Sequence, residues 1–208
     1  VGFISPCGIV APEYFDDKEL GFLKSFTAGF LTTCGLKVAG APCEYEGTSY
    51  GLHGNLSHTP AEDVSCRMEE NDGAPCAVIR GTVRDAVIFG DKMSLEREIR
   101  CSYKERKFTL HDKVTNEGYK KARQMILYHC NIGYPVLTPD SEIYIPALET
   151  KPRNAHAQEG LDTWMKVQEA DPDYEEMCYY HKLKPDENNC SSVAVYNPGL
   201  ELGIAIEV

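Results

Sequence analysis

The sequence has few basic residues and no long apolar run. Both features argue against whole classes of binding partner. Its 208 residues include 21 basic and 32 acidic side chains, giving a formal net charge of -11 at pH 7. Nucleic acids and anionic membranes are bound mainly through basic patches, so we expect neither as a partner. No stretch of about eighteen apolar residues occurs, so we predict no membrane-spanning helix.

Several sequence signatures of metal sites and disulfide frameworks are also missing. No two of the nine cysteines form a C-x-x-C pair, so neither a zinc site nor the disulfide framework of a small secreted protein is indicated. The sequence contains no H-E-x-x-H or H-x-H motif and no evident phosphate-binding loop. Scattered cysteines among apolar residues are typical of reduced thiols, so we expect a cytoplasmic protein.

The length of the chain and the residues at its two ends indicate how its domains are organised. A chain of this length supports one sizeable core, and we predict a single domain over residues 1–208. The sequence starts at Val1 without a Met or a signal peptide, and Ile204–Val208 is typical of a strand. We therefore interpret the chain as a piece of a longer protein.

Alternation with a period of two is the main secondary-structure signal. Leu95–Tyr103 and Phe108–Val114 alternate apolar and polar residues around a charged turn at residues 104–106, which predicts an antiparallel hairpin. Ala77–Phe89 predicts one or two further strands. Strands at a spacing of about ten residues favour a β-sandwich or barrel. We also predict strands at Phe30–Cys34, Gln124–Ile132, Glu176–His181 and Ser191–Tyr196, a turn at Asn197–Gly199, a helical turn within Glu19–Phe26 and a short helix at Gly160–Ala170.

The stretch Ser49–Asp63 is dense in titratable and amide side chains and has no apolar period, which predicts a loop. Loops of this kind often carry binding or catalysis on a rigid scaffold, although a polar surface loop with capping side chains is the alternative. His53, His58 and Glu62 could bind a metal if a helix aligned them. Thr59 followed by proline argues against that helix.

A second dense stretch is Leu127–Leu137. On a continuous strand, His129, Asn131 and Gly133 would share one face. Such polar groups are costly when buried without partners. The pattern indicates either a core histidine bonded to the backbone or an acid or base working near neutral pH.

Several short motifs occur together in one order. They are Thr32–Leu36, Tyr50–Gly54, Thr59–Glu62, Asp112–Asn116, Leu127–Pro135 and Asn197–Gly203. This order resembles the galactose-mutarotase-like (aldose 1-epimerase-like) superfamily, in particular its bacterial branch DUF4432. The resemblance implies an all-β fold, a large antiparallel β-sandwich with a sugar-binding cleft on its concave face, here without its first and last strands.

The resemblance also implies roles for individual residues. His53, in Leu-His-Gly, matches the first histidine of characterised mutarotases, and His129 matches the second, the general acid. The catalytic base is a Glu expected beyond Val208. Asn55 stands where an Arg is expected in this branch. The residues implied for sugar binding are Asn55, Asn131, Tyr134, Glu175, Glu176 and His181.

We therefore expect a sugar mutarotase or epimerase that uses acid–base chemistry on a free monosaccharide or derivative, without a cofactor. A homodimer is compatible with the sequence. One alternative is a non-catalytic carbohydrate-binding protein on the same scaffold. Another is a metal-dependent sugar isomerase that uses His53, His58 and a carboxylate.

Overall fold

The computed structural model describes residues 2–7 and 11–208, and these residues are almost entirely in antiparallel strands and loops. The predicted all-β class is confirmed. The strands are β1 Leu31–Leu36, β2 Cys43–Tyr45, β3 Thr48–Tyr50, β4 Glu62–Asn71, β5 Ala74–Ala86, β6 Lys92–Ser102, β7 Phe108–Asn116, β8 Met125–Cys130, β9 Glu142–Tyr144, β10 Ala147–Pro152, β11 Tyr179–Leu183, β12 Ser192–Asn197 and β13 Leu202–Glu207. The helices are α1 Ala155–Glu159 and three 3-10 turns, Pro12–Tyr14, Gly21–Lys24 and Leu56–His58.

Contacts along the chain divide it into two compact units. The amino-terminal unit is Ser5–Cys130, and the carboxyl-terminal unit is Asn131–Val208 together with the first residues up to Ile4. The single domain expected over residues 1–208 stays a prediction. Among the described residues, no helix is long and apolar enough to cross a membrane.

The amino-terminal unit is built on a four-stranded antiparallel sheet of order β4-β5-β6-β7. The predicted hairpin is confirmed as β6 and β7, with Arg97 opposite Asp112 in the ladder. The predicted strand at Ala77–Phe89 is part of one continuous strand, β5, which ends at Ala86. Phe89 lies in the turn beyond it and is almost fully exposed.

The two faces of this sheet differ in chemistry. One face carries ion pairs in which Arg80 and Arg100 each bind both Glu69 and Glu98. The other face is mainly apolar, also carries the Arg97–Asp112 ion pair, and is covered at one end by other parts of the unit. Its core consists of Leu36, Leu56, Met93 and Leu95, with Val83, Val114, Ala122 and Ile126 packed against it.

β1 and β8 form a separate antiparallel pair in the same unit. The predicted strands at Phe30–Cys34 and Gln124–Ile132 are confirmed, with shifted ends. The 3-10 turn Gly21–Lys24 lies within the predicted helical turn at Glu19–Phe26. Leu36 and Ile126 bring the pair into the core beside the four-stranded sheet.

The carboxyl-terminal unit contains a three-stranded sheet of order β13-β12-β9 and the pair β10-β11. The predicted strand at Ser191–Tyr196 and the turn after Asn197 are confirmed. The helix predicted at Gly160–Ala170 is wrong, because helix α1 precedes it. Asn154 caps α1 by accepting the Ala157 N–H at 2.9 Å, and the helix ends at Gly160. The strand predicted from Glu176 starts only at Tyr179.

Strand β4 was missed by the sequence patterns, and the loop predicted to Asp63 is therefore wrong at its end. The ladder between β4 and β5 is irregular between Glu62 and Ser65, and Asp63 has a positive φ of 52°. Most β4 side chains on both faces are exposed, so the strand has no apolar alternation to detect. The short strands β2, β3, β9 and β10 were also missed.

Candidate functional site

The backbone around His53 is fixed by hydrogen bonds to other parts of the amino-terminal unit. The Leu52 N–H donates to the Glu19 carbonyl at 2.8 Å, and the Gly35 N–H donates to the His53 carbonyl at 3.2 Å. His53 itself has a φ of 64°, a conformation that costs about 1–3 kcal/mol and persists only where the surroundings enforce it. The next residue, Gly54, also has a positive φ, and a Cβ there would lie 2.7 Å from the Val38 carbonyl. The histidine is therefore presented by a rigid segment.

The neutral tautomer of His53 follows from its contact with Gly40. The Gly40 N–H donates to Nδ1 of His53 at 3.2 Å, and the His53 N–H donates back to the Gly40 carbonyl at 2.8 Å. Because a backbone N–H can only donate, Nδ1 must be an acceptor, and the proton of the neutral ring lies on Nε2. In the neutral ring, Nε2 is therefore the donor nitrogen of His53.

His129 lies on β8, opposite Thr32 of β1. Its ring is edge-on to the ring of His53, with centroids 5.5 Å apart and an interplanar angle of 81°. Phe22 lies 5.1 Å from His53, Phe26 lies 5.3 Å from His129, and the two phenylalanine rings are 4.7 Å apart. The imidazole pair, His53 and His129, is thus half-buried against two aromatic rings.

His58 belongs to the same loop but has a different environment. Its ring stacks on Phe15 at 3.8 Å, and its nitrogens lie 3.0 Å from the Ser25 hydroxyl and 2.9 Å from the Ser57 hydroxyl. Burial lowers the pKa of His58, and a hydrogen bond to Ser25 partly offsets that effect. With both nitrogens bonded and one face covered, His58 anchors the loop.

The residues considered for a metal are not gathered into a site. The Glu62 carboxylate accepts a hydrogen bond from Arg84 at 3.2 Å, and both His58 nitrogens face serine hydroxyls. Within residues 2–7 and 11–208, no group of three or more His, Cys, Asp or Glu side chains lies close enough to hold a metal ion. The structure therefore does not support the His53, His58 and carboxylate set.

Asn55 and Asn131 are placed differently from the sequence interpretation. Asn55 is exposed at the start of the 3-10 turn, where its side chain makes no capping hydrogen bond. The strand face predicted for His129, Asn131 and Gly133 is wrong, because β8 ends at Cys130. Beyond that point the backbone pairs with the start of the chain: the Phe3 N–H donates to the Asn131 carbonyl at 2.8 Å.

Asn131 and Tyr134 both belong to the carboxyl-terminal unit, and Tyr134 is 82% exposed. Their roles in sugar binding stay predictions, as does that of Asn55.

His181 lies on β11 of the carboxyl-terminal unit. Its Nδ1 is 3.0 Å from the Thr150 hydroxyl, and its ring lies 4.6 Å from Trp164. Burial lowers the pKa of His181. Neither Thr150 nor Trp164 was identified from the sequence. Trp164 is the one tryptophan of the chain, and it lies in the segment for which the sequence predicts a helix.

Glu175 and Glu176 precede β11 and lie outside any strand. The Glu175 carbonyl lies 3.3 Å from Nε2 of His156, and the Glu176 carboxylate accepts from the Cys178 thiol at 2.7 Å. Burial, together with Glu176, raises the pKa of Cys178 to about 11. The proposed contacts of both carboxylates with a sugar stay predictions.

A cavity of about 340 Å³ lies elsewhere in the amino-terminal unit, beside β1 and the four-stranded sheet. Its lining is mainly aliphatic, with Thr33 and Arg97 among the few polar residues, and it includes neither His53 nor His129. A sugar requires several converging hydrogen-bond partners. We therefore do not assign the sugar to this cavity.

Comparisons with known proteins agree with the predicted family and fold. The family described as "Domain of unknown function (DUF4432)" matches residues 1–208. The chain is also similar to a crystal structure described as "a putative aldose 1-epimerase from Klebsiella pneumoniae subsp. pneumoniae MGH 78578", with 29% identity and a TM-score of 0.92. The likeness covers 99% of this chain but 54% of that one, so this chain spans about half the length of its relative. No curated protein matches. The predicted mutarotase-like fold is confirmed.

Proposed function

This chain belongs to the DUF4432 family, and on that premise we propose that it interconverts the anomers of a free monosaccharide or simple derivative at His53 and His129. The observation that carries the proposal is the imidazole pair, two rings 5.5 Å apart on a rigid loop and a paired strand. The likeness in fold to a crystal structure described as a putative aldose 1-epimerase supports the substrate class.

Anomer exchange requires one acid and one base. The base removes the proton of the C1 hydroxyl while the acid protonates the ring oxygen, and the bond between C1 and that oxygen breaks. The open-chain aldehyde rotates about the bond from C1 to C2, and the ring closes on the other face as both protons return. We assign the acid to His129, in agreement with its place in the resemblance.

His53 is assigned a different task. Its Nδ1 is occupied by the Gly40 N–H, so the neutral ring presents an Nε2–H that can donate to a sugar oxygen. A fixed donor orients the substrate without a cost of reorganisation. In the resemblance the base is a Glu, and among the residues of this sequence we assign the acid and the orienting donor only.

A second candidate is a carbohydrate-binding protein without catalysis. It is favoured by Asn55, which stands in place of an expected Arg and so lacks the two-pronged donor of a guanidinium group.

The experiment is anomer exchange by proton NMR on a panel of aldoses and ketoses, with and without chelator. We expect exchange to be accelerated for at least one sugar and to survive chelation. Line broadening of one sugar without acceleration would favour the binding protein. Acceleration that chelation abolishes would favour the metal-dependent isomerase, and no effect on any sugar would contradict all three assignments.

A further inference from the structure

Strand β8 presents different chemistry on its two faces. Neighbouring residues in a strand point to opposite sides, so Tyr128 and His129 face apart. The β1 ladder places Thr32 opposite His129 and Thr33 opposite Tyr128. The His129 imidazole therefore lies on one face of the β1–β8 pair. The hydroxyl groups of Thr33 and Tyr128 lie on the opposite face.

On the face opposite His129, two charged residues of the four-stranded sheet form hydrogen bonds to Thr33 and Tyr128. Arg97 of β6 donates from Nε and Nη2 to the two carboxylate oxygens of Asp112 on β7, at 2.8 and 2.6 Å. The same Nη2 donates to the Thr33 hydroxyl at 2.8 Å, and the Tyr128 hydroxyl donates to Asp112 Oδ2 at 2.9 Å. These four bonds join β1 and β8 to β6 and β7.

The acidic member of this group is buried. The Asp112 side chain is 3% exposed and that of Arg97 is 25% exposed. A charge that is this buried requires its full set of partners, and the Asp112 carboxylate accepts two N–H bonds from Arg97 and one O–H bond from Tyr128. Burial, with the hydrogen bond to Asp112, raises the pKa of Tyr128 to about 12, so its hydroxyl remains a donor at neutral pH.

We infer that Thr33, Arg97, Asp112 and Tyr128 form a clamp that holds the β8 backbone and thereby positions His129 against His53. The inference rests on the proposed function for its catalytic consequence. None of the clamp residues reaches the His129 face, so they act through the strand and are positioning residues. An ordinary buried ion pair that contributes stability alone is the competing explanation.

Two conservative variants separate these explanations. Tyr128→Phe removes the hydroxyl and keeps the ring, and Thr33→Val keeps the shape of a side chain that is buried. Both leave the Arg97–Asp112 pair intact. The matched control is Lys113→Gln, which breaks the exposed ion pair to Glu96 at 3.3 Å, one step along the same ladder.

In the anomer-exchange assay, we expect each clamp variant to lower kcat about tenfold with KM nearly unchanged, because a misplacement of about 1 Å can cost about 10²-fold. Lys113→Gln should retain the original kcat. A second readout does not depend on catalysis. In imidazole NMR spectra, the His129 resonances should shift in the clamp variants, and the nuclear Overhauser contact between the His53 and His129 rings should weaken.

The inference is overturned if Tyr128→Phe and Thr33→Val change only the melting temperature and leave the His129 resonances and the ring contact as in the original protein. If the original protein showed no anomer exchange, the proposed function would fail, while the NMR comparison would still decide the clamp. Shifts in the clamp variants but not in Lys113→Gln would support it in either case.

Discussion

His53 and His58 lie in the same loop, yet their rings have different hydrogen-bond partners and different aromatic neighbours. His58 has a serine hydroxyl at each nitrogen and Phe15 stacked on its ring. His53 has its Nδ1 bonded to the backbone and its ring edge-on to His129. His181, in the other unit, resembles His58 in having a hydroxyl at Nδ1 and an aromatic neighbour, Trp164. We therefore expect the two histidines of this loop to have different tasks.

The largest effect is expected from His129. In His129→Ala, loss of the general acid should lower the rate of anomer exchange roughly 10²–10⁴-fold without loss of folding. His111→Ala removes an exposed histidine of β7 and should retain the rate. The measurement is exchange by NMR on both variants, with circular dichroism to verify folding. A His129→Ala protein with unchanged exchange would show that the acid is wrongly assigned.

A smaller effect is expected from the orienting donor. His53→Ala removes one hydrogen bond to the sugar, which corresponds to about a tenfold loss in kcat/KM. Exchange rates at several sugar concentrations provide the measurement. A loss in His53→Ala as large as that in His129→Ala would mean that His53 also transfers a proton.

His58 should affect stability and leave the rate unchanged. In His58→Ala, the Ser25 hydroxyl, in a residue that is 5% exposed, loses a partner, and the stack on Phe15 is lost. We expect the free energy of unfolding to fall by about 1–3 kcal/mol and the exchange rate to remain within about twofold. Urea unfolding and the exchange assay together test this. A rate loss without a stability loss would place His58 in the sugar site.

The smallest effect concerns pH. The pKa of His58 is below its ordinary value of 6.5 in the folded protein, so between that lowered pKa and 6.5 the unfolded chain binds more protons than the folded one. The free energy of unfolding should therefore fall as pH is lowered through that window, and His181 should contribute in the same direction. Urea unfolding across this pH range should show that the free energy of unfolding depends less steeply on pH in His58→Ala than in the original protein. An equal slope in both proteins would contradict the assignment.

The fold could be predicted from sequence where one face of a strand is buried, because such a strand alternates apolar and polar residues. The β6–β7 hairpin alternates because one face is buried against Leu36 and its neighbours. β4 has no such signal, since its side chains are mostly exposed. The helix was misplaced because Asn154, a capping residue, and Gly160, a terminating one, enclose a segment too short to show a helical period.

The site was predicted in part. Both members of the imidazole pair were singled out, but their aromatic neighbours were not, because Phe22 and Phe26 come from a distant segment whose contacts leave no local pattern. Asn131 was assigned to the His129 face on the assumption that β8 continues. Where a strand ends depends on its pairing partners, here β1, which reaches only as far as Leu31 opposite Cys130.

The most direct test of the account is an imidazole NMR spectrum of the six histidines, recorded with and without an aldose that the protein accepts. The account predicts that the His53 and His129 resonances shift on sugar addition and that those of His58 and His111 do not. It also predicts that, before sugar is added, the proton of the neutral His53 ring lies on Nε2. A sugar that is bound or exchanged while His53 and His129 remain unchanged would contradict it.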